Sequence, residues 1–339
     1  MWRRSELKTQ AKQNLTNKYW QAFAVMFITG ILASGNGIVS YSFNLRDYRQ
    51  GNGNFNDMFS GQWRDMFDRF SQGDFPMGWA GGFVFVMLLF VVLAGLAGVA
   101  YAIFVSPVVQ VGSDRWFSRS RESAAVPSIG MLFSHFKQGR YMKTVGGMLW
   151  MNLFLFLWSL LAMIPLLGGV TWVIIQFLGE NLGWSGYAIP DQFYSWLGGF
   201  EAARLAFFLL LMLASSLLAL PVIIKGYSYR MTPWLLADNP QIGYKRALKL
   251  SMQLTRGHKW GIFVLDLSFI GWFFLGALLC GIGIMFVMPY FQAVQAELYA
   301  RLRRLGVDQG LCTMEELGFT PVVPVSSAAE PTAGRELEP

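Results

Sequence analysis

Long uncharged apolar runs, each close to or above the length of a bilayer-spanning helix, are separated by charged segments along this chain. A spanning helix needs about 20 apolar residues, because it rises about 1.5 Å per residue across about 30 Å of hydrocarbon. Residues 19–40 form the first such run and 79–104 the second. The third uncharged run, 144–179, holds 36 residues, roughly 54 Å of helix and too long for one crossing. It contains Pro165-Leu-Leu-Gly-Gly169, so a span over 144–164 is expected, with 170–178 in the interface or re-entering. The fourth span is expected at 205–224. From residue 260 to 296 the one charge is Asp266, and the run is interrupted at Cys280-Gly-Ile-Gly283 and at Pro289. Two helices, 260–279 and 284–302, joined by a tight glycine turn fit that pattern.

Charge placement tests the count. Residues 1–18 hold five basic and one acidic residue, and 41–78 hold four and five. Residues 106–143 hold six and two, 179–203 none and three, and 225–259 seven and one. Basic residues concentrate in cytoplasmic loops, so the segments alternate inside and outside. Arg301, Arg303 and Arg304 after the last run place the C-terminal segment inside, which requires an even number of spans. The expected fold is an all-α polytopic transmembrane bundle of six spans with interfacial amphipathic helices. Five spans, with one long helix from residue 260, is the alternative. Residues 1–18 are then a cytoplasmic interfacial helix, 19–304 the transmembrane domain, and 305–339 a cytoplasmic tail disordered at its end. The first run reads as an uncleaved signal anchor.

Composition agrees. Hydrophobic residues are 54% of the 339, and charged residues only 14%, against about 25% in a soluble domain. Mean hydropathy is +0.40. So few charges cannot cover a water-facing surface of this size, which excludes soluble enzymes and disordered chains. The net charge is +7.

Three segments outside the runs carry amphipathic patterns. Leu7, Ala11 and Leu15 make one stripe within the basic segment 5–18, which is expected on the inner leaflet. Residues 55–70 repeat Phe55, Phe59, Trp63, Met66, Phe67 and Phe70 at helical spacing, an interfacial pattern. Residues 240–254 interleave Ile242, Ala247, Leu248 and Leu250 with Lys245, Arg246 and Lys249, after the start signal Asp238-Asn239-Pro240. Small-residue ridges at Ala94/Gly98/Ala102, Ala33/Gly37 and Ala277/Gly281 mark expected helix contacts.

Candidate chemistry is sparse. There is no phosphate loop, no HExxH and no GxSxG elbow. Cys280 and Cys312 form neither a CxxC nor a Cys/His cluster, so no metal site, cofactor or catalytic residue is assigned. His135 and His258 lie in basic loops, where a solvated or headgroup-facing place is expected. The candidate intramembrane polar site is Asp266 with Gln292 and Glu297. Asp266 is either a proton or cation site or a carboxylate paired to Lys259 or Arg256 or hydrogen-bonded near the interface. Glu297 and Arg301, spaced i, i+4, suggest a helix-surface ion pair.

Several stretches carry a resemblance. They are Glu6-Leu-Lys-Thr-Gln-Ala-Lys-Gln-Asn-Leu15 followed by Tyr19-Trp20-Gln-Ala22, and Leu220-Pro-Val-Ile-Ile-Lys-Gly-Tyr-Ser-Tyr-Arg-Met-Thr-Pro-Trp-Leu-Leu-Ala-Asp-Asn-Pro240. After residues 247–251 come Gly257-His-Lys-Trp260, Leu267-Ser-Phe-Ile-Gly-Trp272, Gly281-Ile-Gly283 and Pro289-Tyr290. Together they resemble the bacterial multi-pass membrane family known as domain of unknown function 975. The likeness covers both ends of the hydrophobic region. Residues 41–205 match poorly, and 166–203 look like an insertion. The resemblance implies location and architecture and transfers no catalytic residue. The expected protein is non-enzymatic, sits in the bacterial cytoplasmic membrane with both termini inside, and binds anionic headgroups or a membrane-protein partner rather than nucleic acid. The alternative is a small transporter with an Asp266 site.

Overall fold

The computed structural model describes residues 2–33, 79–137, 139–182, 200–279 and 281–319. Among them every regular element is helical. The expected aromatic helix at 55–70, and the tail beyond residue 319, lie outside the described residues. α1 (Arg4–Leu15) and α2 (Tyr19–Ala33) open the chain. α3 (Trp79–Phe104) has the expected bounds of the second span, and α4 (Ser106–Glu122) follows after a single residue, Val105, with Pro107 in its first turn. A 3-10 helix, Ile129–Phe136, leads to α5 (Tyr141–Leu182) and α6 (Phe200–Tyr229). α7 (Thr232–Asp238), a short 3-10 turn and α8 (Tyr244–Leu254) precede α9 (Lys259–Leu267), α10 (Ile270–Leu278) and α11 (Ile282–Asp308).

Four described stretches are long and apolar enough to cross a membrane: Phe85–Glu122, Tyr141–Thr171, Ala206–Asp238 and Lys259–Leu278. The first expected span is represented by α2, apolar but shorter in its described part, and the sixth is carried within α11, which is not among the four. The third run is corrected. α5 is one helix of 42 residues with Pro165 inside it, about 63 Å long. Proline removes one N–H and frees one carbonyl, yet α5 continues past it and packs against α6, Gly169 lying against Leu211.

The segments at 1–18, 106–143 and 240–254 are also corrected. Their apolar stripes are used inside the protein. Leu7, Ala11 and Leu15 are buried, and α1 packs on α11. α4, within a segment expected as a loop, is among the most buried elements, with Val108, Val109, Val111, Trp116 and Phe117 in the core. In α8, Ala247, Leu248, Leu250 and Leu254 are buried while Lys245 and Lys249 face out. Asn239 does cap the chain there, its side chain accepting from the Gln241 N–H at 2.9 Å, but the helix starts only after Gly243 at φ +82. The first part of the expected tail is folded too: Leu317 is buried, and Glu316 pairs with Arg246 at 2.6 Å.

The expected glycine turn is present. Gly281 takes φ +80, in the left-handed region, and α10 and α11 run antiparallel on either side. Asp266 meets Gln295, Phe269 meets Phe291 at 5.2 Å between ring centres, and Phe273 meets Phe291 at 5.5 Å. The tight crossing is not at Ala277/Gly281 but at Gly276 and Gly283. A Cβ on Gly276 would lie 2.8 Å from the Ile284 nitrogen. By contrast, a Cβ on Gly98 would meet nothing within 4 Å, so the ridge on α3 is open among the described residues.

The surface divides accordingly. α3 exposes Phe85, Leu89, Phe90, Val91, Leu93 and Leu96, and α5 and α6 expose Leu, Phe and Ile side chains along their apolar windows. The core sits where α1, α2, α4, α7, α8, α9 and α11 meet.

Candidate functional site

α11 carries the polar groups of this core. It presents Gln292, Gln295, Tyr299 and Arg303 close in helical phase towards α4, α7 and α9, while Glu297 lies on a different side of the helix, against Asn14 of α1 and Arg121 of α4. Four acidic side chains dock on them. Asp238, 2% exposed on its side chain, accepts from the Tyr299 hydroxyl at 2.6 Å, from Arg303 at 2.9 Å and from the Ser118 hydroxyl at 3.3 Å. Arg303, equally enclosed, also donates to Glu122 at 2.8 Å. Trp234 stacks on Tyr299 at 5.6 Å, and Phe319 lies 4.2 Å from the Arg303 guanidinium. These contacts cover the Asp238–Arg303 pair, while Glu122 stays partly open to solvent.

Glu297 pairs with Arg121 at 2.7 Å and accepts from Asn14 of α1. The expected Glu297–Arg301 pair is therefore absent: Glu297 faces α4 and is buried, whereas Arg301 is exposed. Gln292 donates to Asp114 at 2.5 Å. Asp266 is bound by Arg230, through both guanidinium nitrogens, by the Tyr227 hydroxyl at 3.1 Å and by Gln295 at 3.2 Å. Its partner thus comes from the end of α6 and not from Lys259 or Arg256. Asp266, Gln292 and Glu297 do not converge. They are parts of three separate clusters strung along α11.

α4 supplies the matching face. Asp114, Ser118 and Glu122 recur at i, i+4 and i+8, and their contacts with Gln292, Tyr299 through Asp238, and Arg303 run in the same order along both helices. α4 and α11 are therefore parallel and joined by a polar zipper. The sequence pattern marks Arg303 only as an inside-positive charge and Asp238 only as a helix start signal, and it gives no role to Asp114, Tyr299 or Arg230. The signal was present as the i, i+4, i+8 spacing on α4 and the Tyr299/Arg303 spacing on α11.

His135 is corrected as well. It is fully buried beside α7, with the Ser134 hydroxyl 3.3 Å from its Nδ1. Burial, reinforced by the Arg115 guanidinium, pushes its pKa down to about 4, with a backbone hydrogen bond to Leu236 acting partly against this. Hydrogen bonding to Arg246 lowers the Glu316 carboxyl. His258 is partly exposed. Cys312 is a buried free thiol.

Chemically, three of the four docked acids are matched by an arginine, and of these pairs Arg303–Asp238 is the enclosed one. Among the described residues no three His, Cys, Asp or Glu side chains are grouped to hold a metal ion. A small cavity of about 50 Å³ opens between α1 and α11, lined by Trp2, Gln10, Arg121, Glu297, Arg301 and Arg304 among others.

Neither a curated protein nor a solved structure matches the chain. A family model does, over residues 1–306, which includes the helices of the zipper and every polar cluster along α11. On that match the chain belongs to the family described as protein of unknown function DUF975.

Proposed function

We propose that this protein is a non-enzymatic integral membrane protein of the bacterial cytoplasmic membrane. In this reading six segments cross, both termini are cytoplasmic, and exposed cations bind anionic headgroups or a membrane partner. The observation that carries it is the division of the surface. Four long helices are clad in exposed apolar side chains. Exposed Lys12, Lys245, Lys249, Arg301 and Arg304 lie on α1, α8 and the end of α11, outside those four stretches. An apolar belt beside a cationic end is what a bilayer with anionic headgroups accommodates.

The transporter alternative needs Asp266 open to a water-filled path. Its carboxylate instead holds hydrogen bonds from Arg230, Tyr227 and Gln295. A carboxylate matched by a guanidinium and two further donors is a structural joint between α6, α9 and α11. Two measurements on purified full-length protein test the reading. Vesicles containing phosphatidylglycerol should raise its thermal midpoint above that in phosphatidylcholine alone, and salt should weaken the effect. Proteoliposomes should show no proton or cation flux that Asp266→Asn abolishes. Such a flux, with Asp266→Asn protein expressed and folded, would establish the transporter instead.

A further inference from the structure

The chain between α4 and α5 folds back along α4. Trp116 Nε1 donates to the Pro127 carbonyl at 2.9 Å. Farther along, the Leu132 backbone occupies the space beside Gly112, where any Cβ would collide with its carbonyl. Finally the Tyr141 hydroxyl donates to the Phe104 carbonyl at 3.1 Å. These anchors pair 116 with 127, 112 with 132 and 104 with 141. The return is therefore antiparallel, and it ends beside the last residue of α3.

Within this return the 3-10 helix is two-sided. Ser128 caps it, its hydroxyl accepting from the Gly130 N–H at 3.2 Å. Leu132 and His135 point inward and are fully buried. Ile129, Phe133 and Phe136 point outward, 37%, 45% and 36% exposed. Phe136 stacks on Tyr141 at 5.7 Å, and Phe133 lies 6.1 Å from Phe136. The exposed cations Lys137, Arg140 and Lys143 follow at once, and no Asp or Glu occurs between Ser123 and Lys143. Lys137 and Arg140 enter no ion pair among the described residues.

We propose that the outward face of residues 129–137 and 139–143 is a membrane-surface element. Ile129, Phe133 and Phe136 enter the interfacial layer of the phospholipid leaflet, and Lys137, Arg140 and Lys143 contact its anionic headgroups. The inference rests on the membrane reading above and names where that contact is made. Lipid is the occupant because the apolar patch continues the exposed surface of α3 through Phe104 and Tyr101, and because cations border it without an acidic residue. Apolar rings edged by Lys and Arg make an interfacial segment. The two basic segments that sequence favours for this role, α1 and α8, spend their apolar stripes on the protein core.

The test uses full-length protein with Cys280→Ala and Cys312→Ala, carrying one bimane label at Phe133→Cys or, as a control on α3, at Leu96→Cys. Each is reconstituted with spin-labelled lipid that quenches on contact. The label at 133 should be quenched by shallow spin-labelled lipid in phosphatidylglycerol vesicles. Combining Lys137→Gln, Arg140→Gln and Lys143→Gln should reduce that quenching about twofold. Lipid quenching at 96 with only aqueous iodide reaching 133 overturns the inference and spares the membrane reading. Quenching at neither site overturns both. Quenching at 133 that ignores the three substitutions overturns the headgroup contact.

Discussion

Replacing Arg303 with methionine removes the cation shared by the enclosed Asp238 and the partly exposed Glu122. Arg303 is 5% and Asp238 2% exposed on their side chains, so little solvent can reach either charge after the change. Asp238 would keep its bonds from Tyr299 and Ser118, while Glu122, 22% exposed, would keep only its weaker 3.4 Å contact with Arg119. Removing one partner of a buried ion pair costs about 3–5 kcal/mol, because the surviving charge stays buried and uncompensated. Asp238→Asn should cost about as much by leaving the guanidinium with Glu122 as its one charged partner. The double variant, Arg303→Met with Asp238→Asn, leaves no unmatched charge at that pair, although Glu122 still loses Arg303, and should cost about 2–3 kcal/mol. The two singles should therefore overlap by at least about 3 kcal/mol in a double-mutant cycle. Reversible unfolding in mixed micelles, followed by tryptophan fluorescence and helical circular dichroism, measures all four corners. Singles that cost under about 1 kcal/mol, or that simply add, would show that the network is solvated and that the zipper between α4 and α11 does not hold the core.

His135 takes up its proton at lower pH than a surface histidine does. Its folded pKa of about 4 lies below the ordinary 6.5, so its neutral form is favoured in the fold. The stability it contributes is complete above pH 6.5 and is lost as pH falls from there towards 4. That is roughly 3 kcal/mol at most, from about 1.36 kcal/mol per pKa unit. Unfolding at pH 7.5 and at pH 4.5 should show this loss, and His135→Gln should flatten it; a histidine variant no flatter than the parent refutes the buried neutral ring. At the hairpin, Gly276→Ala should cost about 1–3 kcal/mol through overpacking against Ile284, while Gly98→Ala on open α3 should cost under about 0.5 kcal/mol. Equal effects at the two glycines, read by thermal midpoint, would contradict the close crossing.

Some of this architecture is legible in residue patterns because local rules decide it. Cys280-Gly-Ile-Gly283 announces a reversal because Gly281 must adopt a positive φ that other residues resist. The uncharged run at 79–104 matches α3 because nothing within it opposes a helix. Other elements are decided by partners that no local pattern names. Pro165 predicts a break, yet α5 continues past it and packs against α6. The stripe Leu7/Ala11/Leu15 has the same periodicity whether it meets lipid or α11, so periodicity alone cannot distinguish the two. Arg301 looked like the partner of Glu297 by spacing, but the rotation of α11 turns Glu297 towards Arg121. Asp114, Ser118 and Glu122 were hidden by their basic neighbours, which mark the segment as a loop although its apolar face and polar zipper are both internal.

Topology tests the central claim most directly. Single cysteines are placed at Ser60, Ser185, Ser123, Lys249 and Glu315, with Cys280 and Cys312 replaced, and intact cells are exposed to a membrane-impermeant maleimide. Six crossings with both termini inside predict labelling at 60 and 185, and labelling at 123, 249 and 315 only after the membrane is opened. Labelling of residue 315 in intact cells would contradict the even number of crossings and the cytoplasmic placement of the C-terminal segment.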